Sequence, residues 1–190
     1  MACIQQCRQP WMSWSNGIDG ALFTQTGLPM PNILIHTAQA VHTPLGTKAA
    51  GMIIFNPNLA AQPKYFGFIC EDEQIGSYFG PHIFVGTPFE KAPAIRAKIE
   101  VSIDFPKSAR TIVTIGSDVI ELTLSDFDDA QYYNRPTTAM TPFIQNVIEA
   151  NAKKVAVKYN QKTIAVILPP QGIGGGLPAC YSATGLYVRG

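Results

Sequence analysis

The feature that most constrains the fold is an unbroken alternation of apolar and polar side chains between Ile95 and Phe105. Its polar positions are Arg96, Lys98, Glu100, Ser102 and Asp104. A period of two predicts a strand with one buried and one solvated face, which is typical of antiparallel sheets. At about 3.3 Å per residue the segment would span roughly 36 Å, so we expect it to bend or to belong to a sandwich or barrel.

Shorter strands surround this segment. Residues 111–115 and 119–124 follow it across short turns and extend the sheet, and 155–159 pairs with 163–168 in a second predicted hairpin. A last strand is predicted around 180–188. The fold class is therefore mainly β, or α+β at most, with an antiparallel sandwich or barrel-like sheet.

One helix is predicted in the C-terminal half, over residues 142–154. Thr141 is a suitable N-cap, and Pro142 occupies the favoured first helical position. The apolar positions at helical spacing are Ile144, Val147 and Ile148, with Phe143 and Ala150 beside them. We expect this helix to pack on the sheet.

The chain is long enough for one domain, and no linker, repeat or low-complexity tract divides residues 1–190. Residues 1–31 contain scattered glycines, prolines and aromatic residues, which predict an irregular N-terminal segment. Segments 65–70 and 77–79 are expected to form a hairpin around an acidic loop, with a short strand at 82–85.

Composition limits the partners. Charged residues make up 14% of the chain, against roughly a quarter in an average soluble domain. Either uncharged polar groups cover the surface or a homo-oligomer interface hides part of it, and both alternatives remain open. The formal net charge of +1, without a basic cluster, argues against binding to nucleic acid.

Localisation is assigned by default. No run of about 18 apolar residues predicts a transmembrane span, and the N-terminus lacks the apolar stretch of a secretory signal. We therefore expect a cytoplasmic protein with reduced thiols. Cys3 and Cys7 are interpreted as two thiols that are neighbours in sequence rather than as a zinc motif.

The most suggestive chemistry lies near the C-terminus. The segment 171–177 is rich in glycine (Gly172, Gly174, Gly175 and Gly176), and such a loop can direct backbone N–H groups at an anion or simply connect two strands. Cys180 follows it and is a candidate nucleophile, with His82 or His36 as its base. The alternative is that Cys180 packs as a small buried hydrophobe.

Aromatic residues are the other ligand-binding candidates. Trp11 and Trp14 either pack the N-terminal segment onto the sheet or form a stacking platform for a ligand, with Tyr65 and Phe79 as further contacts.

No metal site or cofactor is assigned. His36 and His42 on one strand would lie about 20 Å apart, too far to share an ion. Asp126, Asp128 and Asp129 faintly resemble a calcium loop, but the residues that should complete it are missing.

Two functions from different classes follow. The first is a non-enzymatic β-rich module that binds a ligand or assembles with copies of itself. The alternative is a small enzyme for acyl transfer or hydrolysis, with Cys180 as nucleophile, His82 as base and the glycine-rich loop as oxyanion donor.

Overall fold

The computed structural model describes residues 9–139 and 141–189 of the protein. It is mainly β with one short α-helix, α1 (Glu73–Tyr78), which confirms the predicted fold class. The strands are β1 (Trp11–Leu22), β2 (Ile33–Thr43), β3 (Gly46–Phe55), β4 (Tyr65–Cys70), β5 (Ala94–Arg96), β6 (Lys98–Asp104), β7 (Ser108–Ile115), β8 (Asp118–Phe127), β9 (Gln131–Arg135), β10 (Phe143–Tyr159), β11 (Lys162–Ile164) and β12 (Ala179–Arg189).

These strands form one open sheet in the order β5-β4-β3-β2-β1-β12-β10-β8-β7-β6, with β9 and β11 added to β10. Neighbours are antiparallel except for the parallel pair of β4 and β5. Among the described residues no helix is long and apolar enough to cross a membrane.

The sheet folds over on itself at two places. The alternating segment is interrupted at Ala97, so that β5 pairs with β4 whereas β6 pairs with β7. Strand β10 pairs with β12 along its first half and with β8 along its second. The result is a sandwich whose core joins β1–β3 and β6–β8, with Ile18, Ile35, Ile53, Ile99, Val113 and Leu122 among its buried residues.

The other face of β1–β4 carries a second core. Leu34, Ala50 and Phe68 on this face pack with Ile75 and Phe79, which belong to α1 and the π-helical turn after it (Phe79–Ile83). Helix α1 begins where the Asp72 side chain accepts hydrogen bonds from the next backbone N–H groups. Helical segments thus cover this face, which holds the site described below.

The helix predicted at 142–154 is wrong, because these residues belong to β10. Phe143, Gln145, Val147 and Glu149 are buried at every second position, which is the period of a strand. The apolar residues between them lie on the opposite face and imitate helical spacing. Pairing with β12 on one side and β9 on the other supplies the backbone hydrogen bonds.

The segment predicted to be irregular, 1–31, contains β1 over residues 11–22, near the middle of the sheet, whereas residues 24–31 form turns and bends. The glycines of β1 make room for neighbouring side chains: a Cβ on Gly17 would lie 2.9 Å from Trp14 Nε1. Segments 77–79 and 82–85 were expected as strands, but the chain there runs through α1 and the π-helical turn.

Candidate functional site

A cavity of about 140 Å³ lies between the second face of the sheet and its helical cover. Most of its wall is apolar or aromatic: Met12, Trp14, Leu34, Ala38, Val41, Met52, Phe68, Phe79, Phe84, Phe89, Phe143, Ile173, Leu177 and Tyr187. Polar side chains from β1, β2, β9, β10 and β12 line it too. An apolar pocket with a few convergent polar groups is the usual form of a small-molecule site.

Strand register brings the polar groups together. Asp19 of β1 lies directly opposite His36 of β2 on one side and Cys180 of β12 on the other. Directly opposed residues in antiparallel strands project from the same face about 5 Å apart. Glu149 of β10 joins them from the strand beyond β12, opposite Ser182.

These four residues, Asp19, His36, Glu149 and Cys180, are called the polar cluster. Asp19 Oδ1 lies 3.2 Å from His36 Nδ1, and the Cys180 thiol donates a 3.7 Å hydrogen bond to Asp19 Oδ2. One ligand atom from each of Asp19, Glu149 and Cys180 lies within 4.8 Å of the other two.

Burial favours the uncharged forms of Asp19, His36 and Cys180. Desolvation, with repulsion from Glu149, raises the pKa of Asp19 to about 8, and desolvation lowers the pKa of His36 to about 4. Desolvation and the neighbouring carboxyls also raise the pKa of Cys180 well above its usual value. At neutral pH the pocket therefore holds mainly a neutral carboxylic acid, a neutral imidazole and a thiol.

Arg135 of β9 forms an ion pair with Glu149. Its Nη2 atom lies 2.6 Å from Glu149 Oε2, and the two side chains are only 16% and 8% exposed. The guanidinium also lies over the ring of Tyr133, 4.5 Å from its centroid. Arg135, the one arginine or lysine that lines the cavity among the described residues, is thus already paired with one carboxylate.

Two further polar groups face the cavity with spare hydrogen-bonding capacity. The side chain of Gln145 is 6% exposed and has no hydrogen bond to the described residues. The Tyr187 hydroxyl likewise has no such partner, while its ring packs between Trp14 and Phe143. Both groups lie in the cavity wall and are available to a bound molecule.

The predicted catalytic residues are not brought together. Cys180 lines the cavity, but the partner of its sulfur is a carboxyl oxygen of Asp19 rather than an imidazole nitrogen. His82 is exposed, stacks on Tyr78 and is not part of the cavity wall. His36 does belong to the site, but its Nδ1 atom contacts the Asp19 carboxyl rather than the Cys180 thiol.

The glycine-rich loop covers the cavity near Cys180. Gly176 lines the wall, whereas Gly174 and Gly175 have positive φ angles of 62° and 81° that permit the tight turn. The Gly172 N–H donates to the Gly176 carbonyl, and the Gly176 N–H donates to the Ile173 carbonyl. Two of the amides expected to bind an anion are therefore occupied within the loop.

Of the four aromatic candidates, two line the cavity and two do not. Trp14 is buried in the cavity wall and donates from Nε1 to Ser182 Oγ at 2.9 Å, and Phe79 also lines the cavity. Trp11 is half-buried outside the wall, and Tyr65 bonds to Asp118 elsewhere on the sheet.

The residues that faintly resembled a calcium loop are paired with cations. Lys154 lies 3.1 Å from Asp126, and Lys153 lies 2.6 Å from Asp128. Cys70 and Cys180 are free thiols, while Cys3 and Cys7 lie outside the described residues.

Sequence reasoning missed Asp19, Glu149 and Arg135. The signal that could have found Glu149 is its position in step with the buried apolar residues Phe143 and Val147 at every second residue, whereas Asp19 lies in a strand with several small polar residues and gives no such signal. Glu149 was hidden by the helical interpretation of 142–154, and Asp19 by the irregular interpretation of 1–31.

The fold and the site together define a β-sandwich protein with a partly open pocket that is apolar along most of its wall and carries two carboxyl groups at one place. Comparisons with protein-family models, curated proteins and solved structures give no match for the chain.

Proposed function

We propose that the protein binds a small molecule with an apolar body in the cavity beside the π-helical turn that follows α1, with its polar part at the polar cluster. The observation that supports this most directly is the lining of the cavity by aromatic side chains, with the Gln145 amide, which has no hydrogen bond to the described residues, in its wall. A preformed apolar pocket with few orienting polar groups is suited to binding.

The size of the cavity limits the ligand. An apolar cavity of about 150 Å³ accommodates a benzene-sized molecule, and the volume of about 140 Å³ here is similar. We therefore expect a ligand whose buried part is no larger than a single ring or a short branched chain.

Binding is favoured over nucleophilic catalysis by the state of Cys180. Thiol nucleophiles react as thiolates and are activated by a nearby cation or base. Burial and the adjacent carboxyls raise the pKa of this thiol instead, and its hydrogen bond goes to Asp19. The enzymatic alternative has no comparable support from the geometry.

The experiment uses fluorobenzene as the probe, followed by fluorine NMR with the chelator-treated full chain. Saturable binding is expected, and Ala38→Leu, which fills the cavity from β2, should weaken it about tenfold or more. Ala156→Leu adds the same atoms at an exposed position of β10 and should leave binding unchanged.

Circular dichroism of each variant establishes that it is folded. Absence of saturable binding to the folded wild-type protein, or equal binding by folded Ala38→Leu, would contradict the proposal.

Self-assembly is a second candidate, supported by apolar side chains on the uncovered face of β9 and β10. Tyr132 and Ile148 lie opposite each other and are 64% and 38% exposed, and Ile144 on the same face is 42% exposed. Light scattering should then give a mass of at least twice 20.6 kDa, reduced by Ile148→Lys; a monomer would exclude it.

A further inference from the structure

We propose that Asp19, Glu149 and Cys180 bind a divalent transition-metal ion, with zinc the best match to their ligand atoms. The proposal rests on the pocket of the proposed function and assigns the chemistry of its polar end. The three side chains come from three adjacent strands, and their ligand atoms lie within 4.8 Å of one another.

The donor set selects the class of metal. Two carboxyl oxygens and a thiol sulfur are all ligands of zinc, whereas calcium and magnesium prefer oxygen alone. Three protein ligands leave one position of a tetrahedral ion vacant, which is the pattern of sites that bind an exchangeable molecule. Because all three residues line the cavity, a pocket ligand can reach that position.

The surroundings supply the support that such sites need. His36 Nδ1 contacts Asp19 Oδ1, and Arg135 holds Glu149 Oε2, so each carboxyl is oriented through one oxygen and retains the other. Outer hydrogen bonds of this kind commonly fix the orientation of metal ligands.

An independent observation also indicates a bound group. The Gln145 side chain lines the same cavity at 6% exposure without a hydrogen-bond partner among the described residues. A molecule bound in this cavity would give this amide a partner. The buried carboxyls gain a counter-charge from the metal, which lowers the cost of burying them.

Binding is written as an exchange of protons for the metal. The S–H bond of Cys180 and the O–H bond of the Asp19 carboxylic acid break, their protons pass to the buffer, and S–metal and O–metal bonds form. No electron is transferred. Each ligand proton that the metal displaces is released to the buffer, so metal binding should weaken as pH falls.

The test is a titration of the full chain with Co²⁺ after treatment with a chelator. Co²⁺ reports thiolate coordination by a near-ultraviolet charge-transfer band and tetrahedral geometry by visible bands. Both should appear at one equivalent and disappear when Zn²⁺ is added. Calorimetry in buffers of different ionisation enthalpy should give the proton release.

Matched variants locate the site. Cys180→Ser should abolish the charge-transfer band, and Asp19→Asn should weaken binding of Co²⁺ at least about tenfold. Cys70→Ser removes the other free thiol of the described chain, and Asp128→Asn removes an acid paired with a surface lysine; both should titrate as wild type.

Several outcomes would overturn the proposal. These are no band in the folded wild-type protein, a band that survives Cys180→Ser, or binding that is lost in Cys70→Ser. Because the fluorobenzene assay uses metal-free protein, probe binding without Co²⁺ binding refutes the metal site alone, and the reverse result refutes the apolar-ligand proposal alone.

Discussion

Two aspartates of this sheet, Asp118 and Asp19, each lie among several polar neighbours, but the pKa of one is lowered and that of the other is raised. Asp118, at the start of β8, accepts hydrogen bonds from the hydroxyls of Tyr65 and Tyr159 and from the ammonium of Lys64, at 2.5, 2.8 and 2.9 Å. These donors lower the pKa of Asp118 far below its usual value. Around Asp19, burial and repulsion from Glu149 outweigh the favourable contributions of the Cys180 thiol and Arg135, and the pKa of Asp19 is raised to about 8.

The difference separates a structural polar network from the cluster at which we propose that a ligand binds. Donors satisfy Asp118 within the fold, so ionisation of this carboxyl contributes to stability. Around Asp19, a carboxyl, a thiol and an imidazole converge beside a cavity. Perturbed groups of this kind concentrate at functional sites, which is the physical reason for placing function at Asp19.

The largest expected effect concerns the ion pair beside Asp19. Glu149→Ala leaves the Arg135 guanidinium without its partner at 16% exposure, and we expect a loss of about 3 kcal/mol of unfolding free energy in urea. Glu121→Ala breaks the more exposed pair with Arg110 and should cost less than about 1 kcal/mol. Similar losses for the two variants would contradict the difference drawn between the regions.

The second prediction concerns pH. A carboxyl whose pKa is higher in the folded than in the unfolded protein binds its proton more tightly when folded, so stability falls as pH rises, here between about 4 and about 8. His36, with its lowered pKa, opposes this trend below about 6.5 and leaves a clear window from 6.5 to 8.

Between pH 6.5 and 8 the free energy of unfolding of the metal-free protein should fall by at most about 1.4 kcal/mol per pH unit. The Asp19→Asn substitution should abolish that slope. Urea denaturation at several pH values measures it, with Asp128→Asn as the control. A slope unchanged by Asp19→Asn would refute the assignment.

Asp118 should behave in the opposite way. Because its pKa is lowered in the folded protein, its contribution to stability is present above the unfolded value near 3.8 and is lost as pH falls. Asp118→Asn should therefore reduce stability at neutral pH and make the acid limb of the denaturation profile shallower. An unaltered acid limb would show that the hydrogen bonds to Asp118 do not hold in solution.

The smallest effect is expected at His82. Since this histidine is exposed and contacts only the Tyr78 ring, His82→Ala should change stability by no more than about 0.5 kcal/mol and leave fluorobenzene binding unaltered. His36→Ala removes the imidazole beside Asp19 and should change the pH profile of stability. Loss of function in His82→Ala would instead revive the proposed Cys180–His82 pair.

The fold was predictable where one face of a strand is buried and the other is exposed to solvent. The alternation of 95–105 and the strands that follow gave the sandwich for that reason. The break at Ala97 was not predictable, because it depends on pairing with β4 on one side and β7 on the other. Strand β10 was mistaken for a helix because both of its faces carry apolar residues.

The site was predictable only in part. Cys180 and the nearby glycine loop were recognised from local composition, and the loop does cover the cavity. The partner of Cys180 is set by the registers of β2, β1 and β12, which join residues far apart in sequence. No local pattern records those registers, so Asp19 could not be distinguished from an ordinary polar residue.

The position of β12 between β1 and β10 has a consequence for folding. The polar cluster draws on residues 19, 36, 149 and 180, so it is incomplete until β12 has inserted between strands formed far earlier in the chain. Closing so long a loop gives a high contact order and predicts slow folding. A chain that halts before this insertion would present the open edges of β1 and β10 to other chains.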